Sequence, residues 1–117
     1  MAKKRYAICG VSTRANGMFI RPMLDTFQPH CEVVGLLDAD PGRFANCFRK
    51  FPAISGVPTY MPDQFDQMVR ETKPDVVIVA GPDHTHADYI VQALERDLDV
   101  VSEKPMVTSS ADCRRVL

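Results

Sequence analysis

The sequence predicts an α/β fold, a doubly wound parallel sheet with helices on both faces. Strand-like apolar runs alternate with helix-like amphipathic stretches five times along the chain, as in parallel sheets built with right-handed crossovers. The run Asp75–Ala80 is apolar almost throughout, as expected of a strand covered on both faces. The 117 residues suit one domain, residues 1–117.

The first strand and the first helix lie near the N-terminus. Arg5–Cys9 is a short run of strand-forming residues that ends at Gly10. Apolar residues at helical spacing then predict a helix within Ala15–Phe27. Pro22 leaves the start of this helix open by several residues, because proline is tolerated in a first turn but kinks a helix further in.

The start of the second helix is more clearly marked than that of the first. Glu32–Leu37 predicts a strand. Pro41–Phe51 predicts a helix with Asp40 as its N-cap and proline at its first position. A short or edge strand is expected within Ile54–Tyr60.

The second half of the chain repeats the alternation. Helices are predicted over Asp63–Glu71 and Thr85–Arg96, and the last strand over Asp99–Ser102. The residues expected to face the core from these helices are Phe65, Met68, Val69, Ala87, Ile90, Val91 and Leu94. Ser109–Asp112 is typical of a further helix start, and the chain stops at Leu117. We therefore expect a truncated protein, with a natural small domain that ends in a short helix as the alternative.

Composition and charge argue against several classes of function. The formal net charge is −1, so neither nucleic acid nor an anionic membrane is the expected partner. No apolar run approaches the ~20 residues that span a bilayer, and the N-terminus lacks the apolar core of a signal peptide. The four cysteines are scattered without a C-x-x-C pair, which argues against a disulfide framework or a thiolate zinc site. A cytoplasmic protein with free thiols is expected.

A glycine loop follows the first strand. Residues 10–15 (G-V-S-T-R-A) match G-x-G-x-x-G/A at its first and third positions. Ser12 stands at the second glycine position, where its side chain would either bond a phosphate or crowd it. Gly17 allows an alternative in which the loop is longer and Gly17 is the third glycine. The following helix start would offer N–H groups to a phosphate, and Arg14 would add positive charge.

An acid at the end of the second strand completes this pattern. Asp38 lies about 20 residues beyond the glycine loop, where a carboxylate holds the adenosine ribose hydroxyls of a bound dinucleotide. It would repel a 2′-phosphate, so NAD is favoured and NADP is the alternative. The two features together predict a Rossmann-type dinucleotide site, although a plain turn role for Asp38 stays open.

Two further loops follow the later strands. In Gly81–His86 (G-P-D-H-T-H), the pair His84 and His86 is weak support for a metal site, and a polar loop with a capping residue is favoured. In Ser102–Pro105 (S-E-K-P), a lysine at the end of a buried strand would act as an acid or orient a substrate oxygen. A solvated loop pair is the alternative.

With these motifs, the chain resembles the N-terminal dinucleotide-binding domain of the glucose–fructose oxidoreductase, inositol dehydrogenase and rhizopine-catabolism (Gfo/Idh/MocA) family over Arg5–Leu117. The segment Val76–His86 resembles the family's apolar strand and T-P-N-x-x-H loop. The segment Asp99–Pro105 (D-V-V-S-E-K-P) is similar to its H-V-x-x-E-K-P, the most specific motif.

The resemblance implies a cofactor role for each matching position. The pyrophosphate would be wrapped by Gly10, Ser12, Thr13, Arg14 and Ala15. Asp38 would bind the adenosine ribose. The residues matching the nicotinamide end of the site are Gly81, Pro82, Asp83, His86, Glu103, Lys104 and Pro105. Lys104 would contact substrate and assist proton movement, which makes it the implied catalytic residue; no metal is implied.

The resemblance also implies the reaction, an NAD(P)-dependent oxidation at the CH–OH group of a sugar, cyclitol or similar small alcohol. Three positions depart from the family pattern, namely Ser12 for glycine, Ala80–Gly81 for a threonine and Asp83 for an asparagine. Family members also carry a second domain with the substrate pocket and the dimer sheet. We therefore expect this chain to bind nucleotide without turnover, and a homo-oligomer stays open.

Other functional classes fit less well. A phospho-receiver domain needs paired acids after the first strand, where this chain has Cys9–Gly10. A non-catalytic nucleotide sensor on the same fold has no need of the lysine in the E-K-P motif. The cofactor domain of an NAD-dependent glycosidase stays open, since such enzymes share this domain.

Overall fold

Five parallel strands form one sheet in the computed structural model, which describes residues 4–12, 15–24, 30–81, 86–102 and 114. The strands are β1 (Lys4–Cys9), β2 (Cys31–Leu37), β3 (Thr59–Tyr60), β4 (Val76–Val79) and β5 (Asp99–Ser102). Their order across the sheet is β3-β2-β1-β4-β5, and every neighbouring pair is parallel. The predicted doubly wound sheet is confirmed, and β3 is an edge strand as expected.

Helices connect the strands on both faces. They are α1 (Arg21–Leu24), α2 (Pro41–Lys50), α3 (Phe65–Thr72) and α4 (His86–Leu94). Short 3₁₀ turns at Pro52–Ile54 and Pro62–Gln64 lead into β3 and α3. The predicted N-cap of α2 is confirmed, because the Asp40 carboxylate accepts a hydrogen bond of 2.9 Å from the Gly42 N–H.

The first helix begins with a π turn over Asn16–Ile20 that runs directly into α1. The Arg21 N–H bonds to the carbonyl oxygen of Asn16, five residues back. Pro22 has no N–H, and in an α-helix its ring would meet the carbonyl four residues earlier. A wider turn just before the proline relieves that conflict. The predicted helix end at Phe27 lies outside the described residues.

Each face of the sheet carries its own apolar core. Ile8 of β1 and Ile78 of β4 belong to one core, which also contains Ile20 and Met23 of the first helix and Phe44 and Cys47 of α2. The opposite core contains Ala7, Cys9, Val77, Val79, Phe65, Met68 and Ile90. All four residues of β4 are buried, so this strand is covered on both sides, as its apolar run predicts.

The buried face of α4 differs from the prediction at one position. Leu94 is 45% exposed, whereas Tyr89 and Ala93 are buried. The Tyr89 ring stacks on Phe65 of α3, with ring centroids 6.1 Å apart. This contact turns the helix so that residues 86, 89, 90 and 93 face the sheet, a stripe of i, i+3 and i+4 spacing. The inward placement of Leu94 was therefore wrong.

The strand order creates a crevice at the carboxyl ends of β1 and β4. From β1 the chain moves outward to β2 and β3, and then returns to the other side of β1 for β4 and β5. Ligands of doubly wound sheets bind at such a switch point. The loops that follow β1, β2 and β4 all lie at this edge.

Candidate cofactor site

The loop after β1 presses against the end of β4 at Gly10. Gly10 has φ +98°, in the left-handed region. A Cβ atom at this position would lie 2.1 Å from the Gly81 nitrogen and 2.6 Å from the Ala80 carbonyl carbon. Only glycine satisfies both the backbone angle and the contact, so Gly10 makes the tight turn expected of the first glycine in the motif.

Ser12, at the second glycine position, is tied to the protein by its hydroxyl. Ser12 Oγ donates to the Ala80 carbonyl oxygen at 3.3 Å and accepts from the Ala15 N–H at 3.1 Å. The hydroxyl proton is therefore committed to Ala80 in this arrangement. The side chain links the glycine loop to β4 and caps the turn that follows.

The third glycine position is filled by Ala15, which is fully buried. Gly17 is exposed, and a Cβ atom there would have nothing within 4 Å. The third glycine of the motif allows close helix–strand packing, and Ala15 meets that need. Gly17 lacks the close packing that the alternative assignment of the third glycine would require. Thr13 and Arg14 lie outside the described residues.

Asp38 lies directly after β2, as predicted, and is nearly buried at 7% exposure. Its Oδ2 accepts from the Val11 N–H at 2.8 Å, and its Oδ1 accepts from the Asp40 N–H at 2.9 Å. The carboxylate thus joins the loop after β1 to the loop after β2. Each oxygen can accept a second hydrogen bond, so Oδ1 keeps capacity for a ribose hydroxyl.

Arg43 is a charged neighbour of Asp38 that the sequence patterns did not single out. Its Nη1 lies 3.5 Å from Asp38 Oδ2, and its side chain is 41% exposed. Arg43 lies one turn into α2, shortly after the Asp40 N-cap. This position in the sequence is the feature that could have indicated an arginine close to Asp38. An arginine beside the ribose subsite is the feature that accommodates a 2′-phosphate.

The loop after β4 is closed by His86. His86 is 1% exposed, and its Nε2 lies 2.9 Å from the Gly81 carbonyl oxygen. Because a carbonyl only accepts, the ring must donate through Nε2, which sets its tautomer. This bond fixes both ends of the predicted loop, while Pro82 and Asp83 within it lie outside the described residues.

The remaining predicted residues also lie outside the described ranges, namely His84, Glu103, Lys104 and Pro105. Within residues 4–12, 15–24, 30–81, 86–102 and 114, no group of three or more His, Cys, Asp or Glu side chains could hold a metal ion. Among the same residues, no helix is long and apolar enough to cross a membrane.

Asn16, the first residue after the glycine loop, has an unusual environment. It is 2% exposed, and within the described part of the chain neither Nδ2 nor Oδ1 has a hydrogen-bond partner. The sequence patterns did not select it, although an amide directly after the glycine loop was a visible signal. Buried polar atoms without partners are rare in proteins and call for an explanation.

The described residues fit a dinucleotide. Gly10 provides the tight turn, Asp38 provides a carboxylate at the end of β2, and Asn16 leaves two hydrogen-bonding atoms unused at the same edge. Gly10 and Asn16 follow β1 and Asp38 follows β2, and these segments meet at the switch point of the sheet. A ligand with a diol at one end and further polar groups beyond it matches this arrangement.

Comparison with known proteins identifies the family. The family model for the Gfo/Idh/MocA oxidoreductases, described as an oxidoreductase family with an NAD-binding Rossmann fold, matches residues 4–117. This chain belongs to the Gfo/Idh/MocA family. The resemblance expected from the E-K-P and glycine-loop motifs is thereby confirmed, together with the NAD-binding Rossmann fold.

Relatives within the Gfo/Idh/MocA family match most of this chain but only part of their own length. YteT of Bacillus subtilis (strain 168), an oxidoreductase by name, is 54% identical over 114 residues, which cover 97% of this chain and 27% of YteT. Inositol 2-dehydrogenase 1 of Saccharopolyspora erythraea is 33% identical over 85 residues, covering 73% of this chain and 24% of that enzyme. The chain therefore spans about a quarter of the length of these relatives.

Solved structures share the fold. The WlbA dehydrogenase of Bordetella pertussis, in complex with NADH and UDP-GlcNAcA, superposes with a TM-score of 0.82 at 22% identity, covering 98% of this chain and 33% of that one. KijD10, a 3-ketoreductase of Actinomadura kijaniata in complex with NADP, gives 0.77 at 22% identity, covering 98% and 34%.

Proposed function

We propose that this chain binds a nicotinamide dinucleotide across the carboxyl ends of β2, β1 and β4. The observation that carries the proposal is the Asp38 carboxylate, which bonds the Val11 N–H of the glycine loop at 2.8 Å. That bond places the carboxylate beside the tight turn at Gly10. Dinucleotide-binding folds combine a glycine turn and an acidic residue in the same way.

The residues divide between the two ends of the cofactor. Gly10, Ser12, Thr13, Arg14 and Ala15 would face the pyrophosphate, and Asp38 would hold the adenosine ribose. The nicotinamide end would be bounded by Gly81, Pro82, Asp83, His86, Glu103, Lys104 and Pro105. The His86–Gly81 bond of 2.9 Å supports this assignment for the loop after β4, and the family motifs support the others.

The cofactor, when bound, supplies a nicotinamide ring that exchanges hydride with a substrate carbon. The protein's part is to orient that ring and to move a proton. Lys104 is the proposed catalytic residue, because an ammonium at the end of β5 would hold the substrate oxygen and exchange its proton. This assignment rests on the E-K-P motif alone.

NAD is the proposed cofactor, with NADP accepted less well. The nearly buried Asp38 carboxylate favours a ribose diol and disfavours a 2′-phosphate. Arg43, at 3.5 Å from Asp38 Oδ2 and 41% exposed, offsets part of that repulsion. The preference for NAD is therefore modest.

For the whole protein we propose an oxidoreductase acting on the CH–OH group of a sugar, cyclitol or similar small alcohol. Support comes from relatives that are named inositol 2-dehydrogenases. The rest of the polypeptide would complete the substrate pocket, so the 117-residue chain binds cofactor without turnover. Free thiols at Cys9, Cys31 and Cys47 favour a reducing compartment, the cytoplasm.

The proposal is tested by titrating the chain with NAD⁺ and NADP⁺ in parallel in a calorimeter, at one salt concentration. The wild-type chain should bind NAD⁺ more tightly. Asp38→Asn should weaken NAD⁺ binding by about tenfold or more, since a charge-assisted hydrogen bond contributes about 1.5–3 kcal/mol. Asp40→Asn is the matched control, because asparagine caps a helix as well as aspartate, and it should leave affinity unchanged. Failure of both dinucleotides to bind at millimolar concentration would overturn the proposal.

A further inference from the structure

The amide of Asn16 stands apart from the other buried polar groups of the described chain. Asp38 accepts two backbone N–H groups, Thr72 Oγ1 donates to the Met68 carbonyl, and His86 bonds Gly81. Asn16 is equally buried, yet within the described residues both its amide atoms lack a partner. A buried amide without partners lowers the stability of the fold, because its hydrogen bonds to water are lost and not replaced.

The position of Asn16 relates it to one end of the crevice. Its N–H donates to the Ser12 carbonyl oxygen at 3.0 Å, and the Ser12 hydroxyl donates to the Ala80 carbonyl oxygen at 3.3 Å. These bonds hold the first turn after the glycine loop against the carboxyl end of β4. Asp38 lies on the other side of β1, after β2. Asn16 is thus near the end that the nicotinamide half of a dinucleotide would occupy.

We propose that Asn16 is a cofactor-binding residue outside the glycine motif, whose amide pairs with the nicotinamide-riboside half of the dinucleotide. This inference rests on the proposed function. An amide offers two N–H donors and one acceptor. A phosphate at neutral pH offers acceptors alone, whereas a ribose diol or a carboxamide offers both kinds of group. In the ligand-free chain the amide is shielded, and binding turns it toward the crevice.

A leucine in place of Asn16 separates this role from a structural one, because the two effects have opposite signs. Asn16→Leu replaces the unpaired amide with an apolar side chain of the same branching and the same number of heavy atoms, so the ligand-free chain should melt at a higher temperature. The same change should weaken NAD⁺ binding about tenfold, equivalent to about 1.4 kcal/mol. Asn46→Leu is the matched control, since the Asn46 amide already accepts from Arg49 at 2.5 Å. It makes the same side-chain change on α2 and should leave NAD⁺ affinity unchanged.

Shorter ligands identify the group that Asn16 contacts. ADP-ribose keeps the second ribose but lacks nicotinamide, and ADP lacks both. If Asn16→Leu weakens NAD⁺ and ADP-ribose alike, the partner is the ribose diol. If it weakens NAD⁺ alone, the partner is the carboxamide. Both results support the proposal, and ADP affinity should be unchanged in each case.

Three results would overturn the assignment. Equal NAD⁺ affinity of Asn16→Leu and wild type would show that the amide does not meet the cofactor. A lower melting temperature of both Asn16→Leu and the smaller Asn16→Ala would show that the amide stabilises the ligand-free protein, and an equal loss of ADP affinity would show an effect through the loop. If wild type binds no NAD⁺, the proposed function fails as well. Asn16→Ala carries the same binding prediction should the leucine variant not fold.

Discussion

At the residue scale, individual atomic contacts determine which residues can occupy the glycine loop of this site. The 2.1 Å approach that a Cβ at Gly10 would make to the Gly81 nitrogen explains why the first glycine cannot be replaced. At Ser12, by contrast, a side chain stands where the motif has glycine. Its hydroxyl donates to the Ala80 carbonyl and accepts from the Ala15 N–H, and these bonds hold the loop in place. The serine that departs from the family motif is thus accommodated by hydrogen bonds within the protein.

Arg43 yields a prediction about cofactor preference. Replacing Arg43 with glutamine removes the positive charge that lies 3.5 Å from Asp38 Oδ2. NADP⁺ binding should fall about tenfold, since a 2′-phosphate loses its cationic partner, while NAD⁺ binding changes less than about twofold. Parallel calorimetric titrations measure both affinities. Arg49→Gln, an exposed change on the same helix, is the control, and equal losses for both cofactors in Arg43→Gln would contradict the prediction.

The placement of two helices departs from simple periodicity. The π turn at Asn16–Ile20 accommodates Pro22, and the stacking of Tyr89 on Phe65 rotates α4. Both features alter which side chains face the sheet. At the element scale, packing therefore corrects what periodicity predicts.

Close packing of β2 against α3 yields a second prediction. A Cβ atom at Gly35 would lie 3.3 Å from Met68 Cγ and from Thr72 Cγ2. Gly35→Val should lower the free energy of unfolding by about 1–3 kcal/mol, because the larger side chain pushes the helix off the strand. The urea midpoint measures the change. Gly56→Val is the control at a glycine with open space around it, and equal midpoints for the two variants would refute the argument.

Two buried tyrosines make the whole molecule sensitive to alkaline pH. Burial, and then the hydrogen bond to Glu71, raises the pKa of Tyr60 to about 12. Burial, with the nearby Cys9 and Asp38 adding to it, raises the pKa of Tyr89 to about 12. In the unfolded chain both ionise near pH ~10.

The sign of the effect follows from these values. Below pH 10 both tyrosines are neutral in either state, and their contribution to stability is complete. Between about pH 10 and 12 the unfolded chain releases its protons first, so stability falls as pH rises. The urea midpoint should drop over this range, and the double variant Tyr60→Phe with Tyr89→Phe should show a shallower drop. An unchanged slope in the double variant would contradict the assignment.

The order of elements was predictable from the sequence because it depends on local pattern. Apolar runs, the Asp40 cap and the glycine turn each involve residues close in the chain, and such patterns identify strands, helices and loops. The same motifs identified the Gfo/Idh/MocA family, which the family model confirms over residues 4–117. The placement of Asp38 at the end of β2 also followed from this pattern.

The contacts of the site were decided only by the tertiary structure. Asp38 meets the Val11 N–H across 27 residues of sequence, and Ser12 meets Ala80 across 68. Neither pairing has a local signature, because a hydrogen bond between distant segments depends on how β1, β2 and β4 are brought side by side. The charge of Arg43 beside Asp38 and the unpaired amide of Asn16 became visible for the same reason. Sequence determined which residues reach the carboxyl edge of the sheet, and packing determined which of their polar atoms remain available to a ligand.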